Sequence, residues 1–403
     1  MALSEVSFSD QAYTVHISSM SFFYLTTLRL QNFRNIQSAE FSLNKGTVLL
    51  KGPNGSGKTS VLEALSLFSP GKGLRASKFQ EIKRDLVHSW GVFASFEDYN
   101  TTLEVGTSLD ASALKEKRRI RINHQDYATQ STLADFINVV WLTPQQDGLF
   151  INSSTARRQF FDRLVYAYTK THAKTILAYE HSVRERLRLL KNPPFDPLWV
   201  ENLEDSIVKC GLETIKARNF FLNLINVHSQ DLSSTLPKVH FFIEGEIEAV
   251  FKQNGEDFAI EYYKGALKDN RLKDGIVGMT TLGPHRSDFK AFHQEVQRSA
   301  VLCSTGQQKM ILITLMMAFL KGLLDIQENG DKRGTLLLLD DVVAHLDFHH
   351  RMVLLEELCC NPLVTSRVHT WISGTDVELE NLGMRESQVV ELESGTLKEI
   401  YRP

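Results

Sequence analysis

Cysteine is scarce in this sequence, and its cysteines form no recognisable metal-binding or disulfide pattern. None belongs to a CxxC pair, and none has histidines at zinc-ligand spacing. The cysteine pattern therefore favours neither a zinc-binding module nor a disulfide-stabilised secreted domain. The simplest interpretation is that the protein resides in a reducing, cytoplasmic compartment. The four cysteines among the 403 residues are Cys210, Cys303, Cys359 and Cys360.

Long apolar runs are also missing. No run reaches the roughly 18 residues that a membrane-spanning helix needs, and the longest candidate, residues 310–324, contains Lys321. The first 20 residues are polar and lack the basic-then-apolar order of a signal peptide. We therefore expect no membrane partner, and we treat residues 1–20 as an N-terminal tail.

The sequence has neither a charge excess nor a long heptad repeat. Lys and Arg total 45 against 48 Asp and Glu, which gives a formal net charge of −3. Any nucleic-acid-binding surface must therefore be a local basic patch. The hydrophobic fraction of 42% is enough for a core that serves more than one domain.

The most informative segment that is present is GPNGSGKTS. It fits GxxxxGK[ST], follows the apolar run TVLLK and precedes the helix-patterned TSVLEALSLF. Glycines let backbone N–H groups turn towards phosphate oxygens, Lys58 would reach the β- and γ-phosphates, and Thr59 would ligate Mg²⁺. A glycine-rich turn without a ligand is the alternative. The predicted nucleotide contacts are Gly52, Pro53, Asn54, Gly55, Ser56, Gly57, Lys58, Thr59 and Ser60.

A second segment, LLLLDD, ends in two acids. An apolar strand of a parallel sheet delivers its last side chains to the edge where ligands bind in α/β proteins. Asp340 would hold Mg²⁺, and Asp341 would polarise the attacking water. The alternative is a strand that ends in a solvated acidic turn.

The segment STGQQK opens a helix predicted over residues 307–324. Ser304 at this position is first of all a helix N-cap. The more specific interpretation makes Ser304 and Gly306 an anion site for the γ-phosphate of a second nucleotide. Both interpretations stay open at this point.

The remaining pattern divides the chain into three parts. Residues 22–50 and 92–122 read as strands, residues 155–228 as long helices interrupted at NPPFDP, and the C-terminal third alternates strands and helices. Residues 238–263, including DFAIEYY, also read as strands. The fold class is therefore α/β.

The order of these motifs resembles that of the ABC-type ATPases, in which a signature segment precedes the acidic strand and a D-loop follows it. AHLD at 344–347 fits the D-loop, and LTPQQD at 142–147 fits the Q-loop with Gln145 as its glutamine. Within that superfamily the chain resembles the RecF family of bacterial recombination-repair ATPases. The resemblance is nearly full-length and rests on LRLQNFRN, GPNGSGKTSVLEA, RRQFFDRL, GPHRSD, STGQQK and LLLDDVVAHLD.

The resemblance implies a P-loop ATPase head assembled from residues 21–150 and 276–403, with residues 151–275 inserted as a mostly helical lobe or arm. It also implies that two chains clamp two ATP molecules between them. Ser304, Gly306 and Asp347 would then contact the nucleotide held by the partner's P-loop. Arg34 would lie close to the nucleotide of its own chain.

The catalytic residues implied by the resemblance are Asp341, Asp340, Gln145 and Thr375, with Gln145 also near Mg²⁺. Thr375 stands where ABC transporters have a switch histidine, and Asp341 stands where they have a longer glutamate. We therefore expect slow hydrolysis. His369 lies at the opposite end of that strand, where packing is the expected role.

Two basic patches are either solvated faces or contacts to a DNA backbone. The first, on a predicted strand, comprises Lys115, Lys117, Arg119 and Arg121. The second, on one face of a predicted helix, comprises Arg184, Arg188 and Lys191. GPHRSD and RRQFFDRL can be placed in the order of motifs but have no predicted role beyond bracing the joint between head and lobe.

The function that the resemblance implies is an ATP-dependent DNA-binding protein of recombinational repair. It would form an ATP-dependent homodimer on duplex DNA next to single-strand gaps, act as a weak DNA-dependent ATPase, and support recombinase loading with RecR and RecO, replication restart and SOS induction. The alternatives are a transporter ATPase subunit and a soluble P-loop kinase. The first should have a switch histidine, and the second has no need of STGQQK.

Overall fold

A computed structural model describes residues 24–98, 101–110, 117–127, 129–232, 235–328, 331, 333–342, 348–356, 358, 361–374 and 387–401. The predicted tail at 1–20 lies outside these residues. The strands are β1 (Tyr24–Phe33), β2 (Ile36–Ser42), β3 (Thr47–Lys51), β4 (Gly91–Glu97), β5 (Thr102–Asp110), β6 (Lys117–Ile122), β7 (Gln125–Tyr127), β8 (Ile137–Leu142), β9 (Val239–Glu244), β10 (Asp288–His293), β11 (Arg298–Ser299), β12 (Gly334–Asp340), β13 (Val368–Ser373), β14 (Ser387–Glu393) and β15 (Thr396–Tyr401).

The helices cluster in the middle of the chain and flank the strands of its C-terminal third. They are α1 (Lys58–Ser66), α2 (Ser154–Tyr168), α3 (His172–Leu190), α4 (Pro197–Gln230), α5 (Glu246–Asn254), α6 (Glu256–Asp269), α7 (Arg271–Val277), α8 (Thr305–Glu328), α9 (Phe348–Leu355) and α10 (Pro362–Arg367).

The central sheet combines strands from both ends of the chain. Its order is β15-β14-β3-β13-β12-β8, and β3 pairs in parallel with β13 and β14. Because β3 precedes the glycine-rich loop and β12 carries LLLLDD, the sheet brings the two segments to the same carboxyl edge.

The run of four leucines explains why β12 is buried on both faces. Leu336 and Leu338 pack into the core beneath the second sheet, which is antiparallel with the order β2-β1-β4-β5-β6-β7. Leu337 and Leu339 point the other way, into the core built by α2, α4 and α8. A continuous apolar run is what a parallel strand covered on both faces requires.

Helix α4 connects the core built by α2, α4 and α8 to the helical middle of the chain. Its C-terminal half contributes Phe221 and Ile225 to the core with α8. Its N-terminal half contributes Ile207 and Leu212 to a third core with α3, α5 and α6. The predicted domain boundaries at residues 150/151 and 275/276 stay predictions.

One strand prediction is wrong. DFAIEYY lies in helix α6, not in a strand. The buried residues of α6 are Ala259, Tyr263 and Leu267, and their spacing of four is helical. In the seven residues of DFAIEYY the apolar residues lie close together. Their arrangement on one helical face becomes visible only over the full 14 residues of α6. The strand predicted just before it is present as β9.

Candidate nucleotide-binding site

The glycine-rich loop connects the end of β3 to the start of α1 and requires glycine at two points. Gly52 has a φ of 144°, and a Cβ there would collide with the carbonyl oxygen of Leu392. Gly57 caps α1 with a φ of 111°. Positive φ and close backbone approach are the conditions that favour glycine, so the motif's spacing has a local structural cause.

The Lys58 side chain spans this loop. It is buried, and its Nζ donates to the carbonyl oxygens of Gly52 at 2.6 Å and Pro53 at 3.1 Å. The ammonium is therefore held inside the loop by backbone acceptors. A phosphate entering the loop would exchange these neutral acceptors for charged oxygens, which form stronger hydrogen bonds.

Asp340 lies beside the loop, at the end of β12. Its Oδ1 accepts hydrogen bonds from the Thr59 hydroxyl at 3.0 Å and the Ser373 hydroxyl at 2.7 Å. Ser373 is the directly paired residue on β13, the strand between β12 and β3. A hydroxyl and a carboxylate are oxygen ligands of the kind that Mg²⁺ prefers, so Thr59 and Asp340 fit this ion.

Asp341 faces the same space. Its backbone has a φ of 49°, and its N–H donates to the Ser373 hydroxyl at 3.1 Å. Such a φ is uncommon outside glycine, and sparsely populated backbone conformations cluster at functional sites. Asp341 lines a cavity of about 340 Å³ together with Arg34, Asn35, Asn54, Gly55, Gly57, Lys58, Thr59, Ser60 and Arg75.

Arg34 lines this cavity and is held by Glu63 of α1. Its contact with a nucleotide stays a prediction. Its Nη2 and Nε lie 2.5 and 2.8 Å from the two Glu63 carboxylate oxygens. Arg75 approaches the same carboxylate at 3.5 Å. The Glu63 carboxylate is fully buried, so the two arginines supply the positive charge that a buried carboxylate needs.

Sequence reasoning missed Arg75 and Asn35. Asn35 donates to the Gly55 carbonyl at 3.1 Å and accepts from the Ser60 hydroxyl at 3.0 Å, so it connects the turn after β1 to the loop. Its position directly after Arg34 could have indicated this role. Arg75 lies in a loop without secondary structure, and no local pattern placed it at the cavity.

Gln145 is not brought to this cavity. It lies in a one-turn 3-10 helix, Pro144–Gln146, just after β8, and is exposed. Among the described residues, those lining the cavity do not include it. The neighbouring Gln146 instead accepts hydrogen bonds from the Thr143 backbone and hydroxyl at 2.8 and 2.7 Å. The predicted Q-loop role of Gln145 stays a prediction.

Ser304 caps helix α8, which confirms the simpler interpretation of STGQQK. Gln307 N–H donates to the Ser304 hydroxyl at 3.3 Å, and Ser304 N–H donates to the Gln307 side chain at 3.0 Å. This is a reciprocal capping box. Ser304 and Gly306 are exposed and lie outside the lining of the chain's own nucleotide cavity. Thr375 and Asp347 lie outside the described residues.

Comparison with known proteins agrees with this geometry. A family model described as the RecF/RecN/SMC N terminal domain matches residues 24–362. The DNA replication and repair protein RecF of Rhizobium rhizogenes is 34% identical over 336 residues, 83% of this chain and 88% of the relative. The chain belongs to the RecF family. The RecF of Rickettsia bellii is 32% identical over 370 residues, 92% of this chain and 99% of the relative.

Solved structures support the fold of this RecF-family chain. The recombination mediator protein RecF-ATPrS of the RecFOR pathway superposes with a TM-score of 0.80 at 21% identity, covering 94% of this chain and 99% of that one. An SMC head bound to the C-winged helix domain of ScpA gives a TM-score of 0.53 at 14% identity, with 94% and 98% coverage. The predicted ABC-type ATPase head is thereby confirmed as the fold.

The two unexplained motifs of this RecF-family chain pack against each other. Arg157 of RRQFFDRL makes two 2.7 Å hydrogen bonds to the Asp288 carboxylate of GPHRSD. Arg158 donates to the Ser287 carbonyl at 2.5 Å. Asp162 binds Arg218 of α4 through two 2.8 Å hydrogen bonds, and Arg218 lowers the pKa of Asp162 although burial opposes this. The motifs join α2, α4 and the start of β10.

The first basic patch is present on the antiparallel sheet. Lys117, Arg119 and Arg121 alternate with buried residues along β6 and face outwards. Arg119 and Arg121 are paired with Asp126 of β7 at 3.0 and 3.2 Å. Lys115 lies outside the described residues. The strand geometry of this patch is therefore confirmed where it is described, but part of its charge is neutralised.

The second basic patch lies on helix α3. Arg184 pairs with Glu180 at 3.5 Å, and Arg188 pairs with Glu185 at 2.8 Å. Lys191 is the exposed C-cap residue of the same helix.

In the described part of the chain, no helix is long and apolar enough to cross a membrane.

Proposed function

We propose that this chain is an ATP-dependent DNA-binding protein of recombinational repair that binds ATP and Mg²⁺ at the loop after β3. The observation that best supports this proposal is the hydrogen bond between Thr59 and Asp340, which joins the loop to the acidic strand. Lys58 would hold the β- and γ-phosphates. Bound Mg²⁺ would neutralise charge that develops on those phosphates.

Asp341 would orient and polarise the attacking water. Asp341 lines the nucleotide cavity together with Thr59 and Lys58. Because an aspartate is one methylene shorter than a glutamate, its reach towards the water is shorter, and hydrolysis is slow. Gln145 and Thr375 would lie next to the attacking water and Mg²⁺ once two copies of the chain close around the nucleotide. ATP therefore serves mainly as a switch.

The exposed start of α8 supports the proposed homodimer. Ser304 and Gly306 lie outside their own chain's nucleotide cavity. Apart from the adjoining helix backbone, no described atom lies within 4 Å of a Cβ built on Gly306. This opening at a helix N-terminus suits the γ-phosphate held by a second copy. Asp347 would contact the same nucleotide. Closure by ATP and release after hydrolysis would give an ATP-dependent clamp.

The clamp would hold duplex DNA next to a single-strand gap. Lys117, Arg119 and Arg121 on β6 and Arg184, Arg188 and Lys191 on α3 are the proposed backbone contacts, with Lys115 beyond the described strand. RecR and RecO are the proposed partners in recombinase loading. Curated relatives are named DNA replication and repair proteins, which supports a role in replication and repair. Roles in replication restart and SOS induction are part of the same proposal.

Binding to gapped duplex DNA tests this function directly. We would compare the wild type with Lys58→Met, with and without ATP, at about 50 and 200 mM salt. The expected result is ATP-dependent binding by the wild type alone, weakened at least tenfold by the higher salt because phosphate contacts release counterions. As a control, Lys252→Met removes an exposed lysine of α5 and should bind normally. Equal binding without ATP would contradict the proposal.

A further inference from the structure

A second cavity lies on the far side of the loop that carries Arg75. It has a volume of about 410 Å³, within the range of small-molecule sites. The loop of residues 69–76, strand β8 and helix α2 enclose it. Its lining includes Lys72, Ile137, Asn138, Val139, Trp141 and Arg163.

The decisive residue of this cavity is Arg163 of α2. Its guanidinium carbon lies 4.1 Å from the centre of the Trp141 ring and 5.0 Å from that of Phe160. Its Nη2 donates to the Trp141 carbonyl at 3.0 Å. Its Nε is buried and has no hydrogen-bond partner among the described residues. Burial lowers the pKa of Arg163 to about 9, which reflects the cost of this charge.

No carboxylate described in the structure lies within salt-bridge distance of Arg163. Arg118 provides a useful contrast, because it is buried and likewise has no carboxylate partner among the described residues. Arg118 donates to the carbonyls of Leu67 and Gly71 and to the Thr107 hydroxyl. Those acceptors satisfy Arg118 within the fold, whereas Arg163 keeps a donor unsatisfied. Such a donor is costly in a buried position unless an acceptor reaches it.

The rest of the lining has the same bias towards donors. Asn138 is 4% exposed, and its Nδ2 also has no partner among the described residues. Lys72 is exposed at the rim. The described lining contains no aspartate or glutamate, while Ile137 and Val139 supply an apolar wall. Two unsatisfied donors and two cations define a space suited to a negatively charged group.

We propose that this cavity binds a small anionic molecule through a phosphate or carboxylate group. Arg163 and Asn138 donate hydrogen bonds to the anionic group, Lys72 attracts it at the entrance, and the apolar wall contacts the remainder of the molecule. The site is distinct from the nucleotide cavity. Because Arg75 extends from the same loop to the nucleotide cavity, a molecule bound here would restrain that loop.

The test uses the full chain carrying Lys58→Met, so that phosphate binding at the P-loop is removed and the result does not depend on the proposed function. Inorganic pyrophosphate and citrate are titrated separately, against sodium chloride of equal ionic strength, with calorimetry and Trp fluorescence as readouts. We expect saturable binding of one or both anions. Saturation by pyrophosphate alone assigns a phosphate ligand, and saturation by citrate alone assigns a carboxylate ligand.

Variants in the same background locate the site. Arg163→Met should weaken binding at least tenfold, and Lys72→Met by a few-fold. Lys252→Met, on α5, should leave binding unchanged. If Arg163→Met fails to fold, as judged by thermal unfolding, Asn138→Asp replaces it, because a carboxylate in the cavity should repel either anion. Absence of saturation with both anions, or saturation that survives Arg163→Met or Asn138→Asp, would overturn the proposal.

Discussion

The hydroxyl of Thr59 donates a 3.0 Å hydrogen bond to the carboxylate of Asp340, 281 positions further along the chain. The contact exists because β13 lies between β3 and β12 in the central sheet, so that the residues following β3 and ending β12 reach the same edge. The chain between the two segments supplies strands β4–β7 of the antiparallel sheet, the edge strand β8 of the central sheet and the helical part. The two halves of the nucleotide site are therefore distant in sequence but adjacent at one edge of the central sheet.

The Lys58→Met substitution should abolish ATP binding. Methionine keeps the length of the side chain but removes the ammonium that Gly52 and Pro53 now hold inside the loop. We expect at least a hundredfold loss of ATP affinity by calorimetry, with thermal stability nearly unchanged because the replaced bonds are local. Lys252→Met should bind ATP like the wild type. ATP affinity within threefold of the wild type in Lys58→Met would show that this loop is not the site.

The Asp341→Asn substitution should separate binding from hydrolysis. Asparagine tolerates the positive φ of this position and keeps the side-chain length, but it cannot accept a proton from water. We expect ATP affinity within threefold of the wild type and steady-state hydrolysis reduced about 10²- to 10⁴-fold. Hydrolysis within threefold of the wild type would assign the polarising role to another group.

The Arg34→Met substitution should destabilise the fold through Glu63. Removing one partner of a buried ion pair costs about 3 kcal/mol, and Arg75 at 3.5 Å offsets only part of it. Arg34→Met with Glu63→Gln should recover much of this loss because the buried charge is gone. Urea denaturation measures both.

The matched control for Arg34 is Arg29→Met. Arg29 and Glu40 form an ion pair of 2.9 Å, but both side chains are more than half exposed. Removal of such a surface pair should change the free energy of unfolding by less than about 1 kcal/mol. If Arg34→Met is as mild as this control, Glu63 does not depend on Arg34.

His369 should make the protein less stable in acid. It is buried on β13, neither ring nitrogen has a partner among the described residues, and burial lowers its pKa to about 4. Because this value lies below the unfolded pKa of about 6.5, stability is full above pH 6.5 and falls as the pH approaches 4, by up to about 1.4 kcal/mol per unit.

Replacing this histidine isolates its contribution. His369→Phe keeps an aromatic ring beside Trp371 but cannot take up a proton. Urea denaturation at pH 7.0, 6.0 and 5.0 should show a shallower pH dependence for His369→Phe than for the wild type, whereas exposed His181→Asn should follow the wild type. Parallel curves for His369→Phe and the wild type would show that His369 does not contribute.

Local spacing was sufficient for the parts of the site that are built within one segment. The P-loop, the acidic strand and the N-cap at Ser304 each depend on a few neighbouring residues. Arg75 depends on how separate segments meet, which the spacing of residues along the chain does not reveal, whereas the position of Asn35 directly after Arg34 could have indicated its role. The strand prediction for DFAIEYY was wrong for a different reason. The apolar residues that form the buried face of α6 extend beyond this seven-residue segment, so the segment alone resembled a strand.

Light scattering with ATP tests the central claim that two copies share two nucleotides. Asp341→Asn is the reference, because slow hydrolysis should preserve the closed state, and Ser304→Arg in that background blocks only the proposed contact with the partner's nucleotide. We predict that ATP doubles the mass of Asp341→Asn but not of the double variant, although calorimetry shows ATP binding by both. A reference that stays monomeric with ATP, or a double variant that dimerises equally well, would contradict the account.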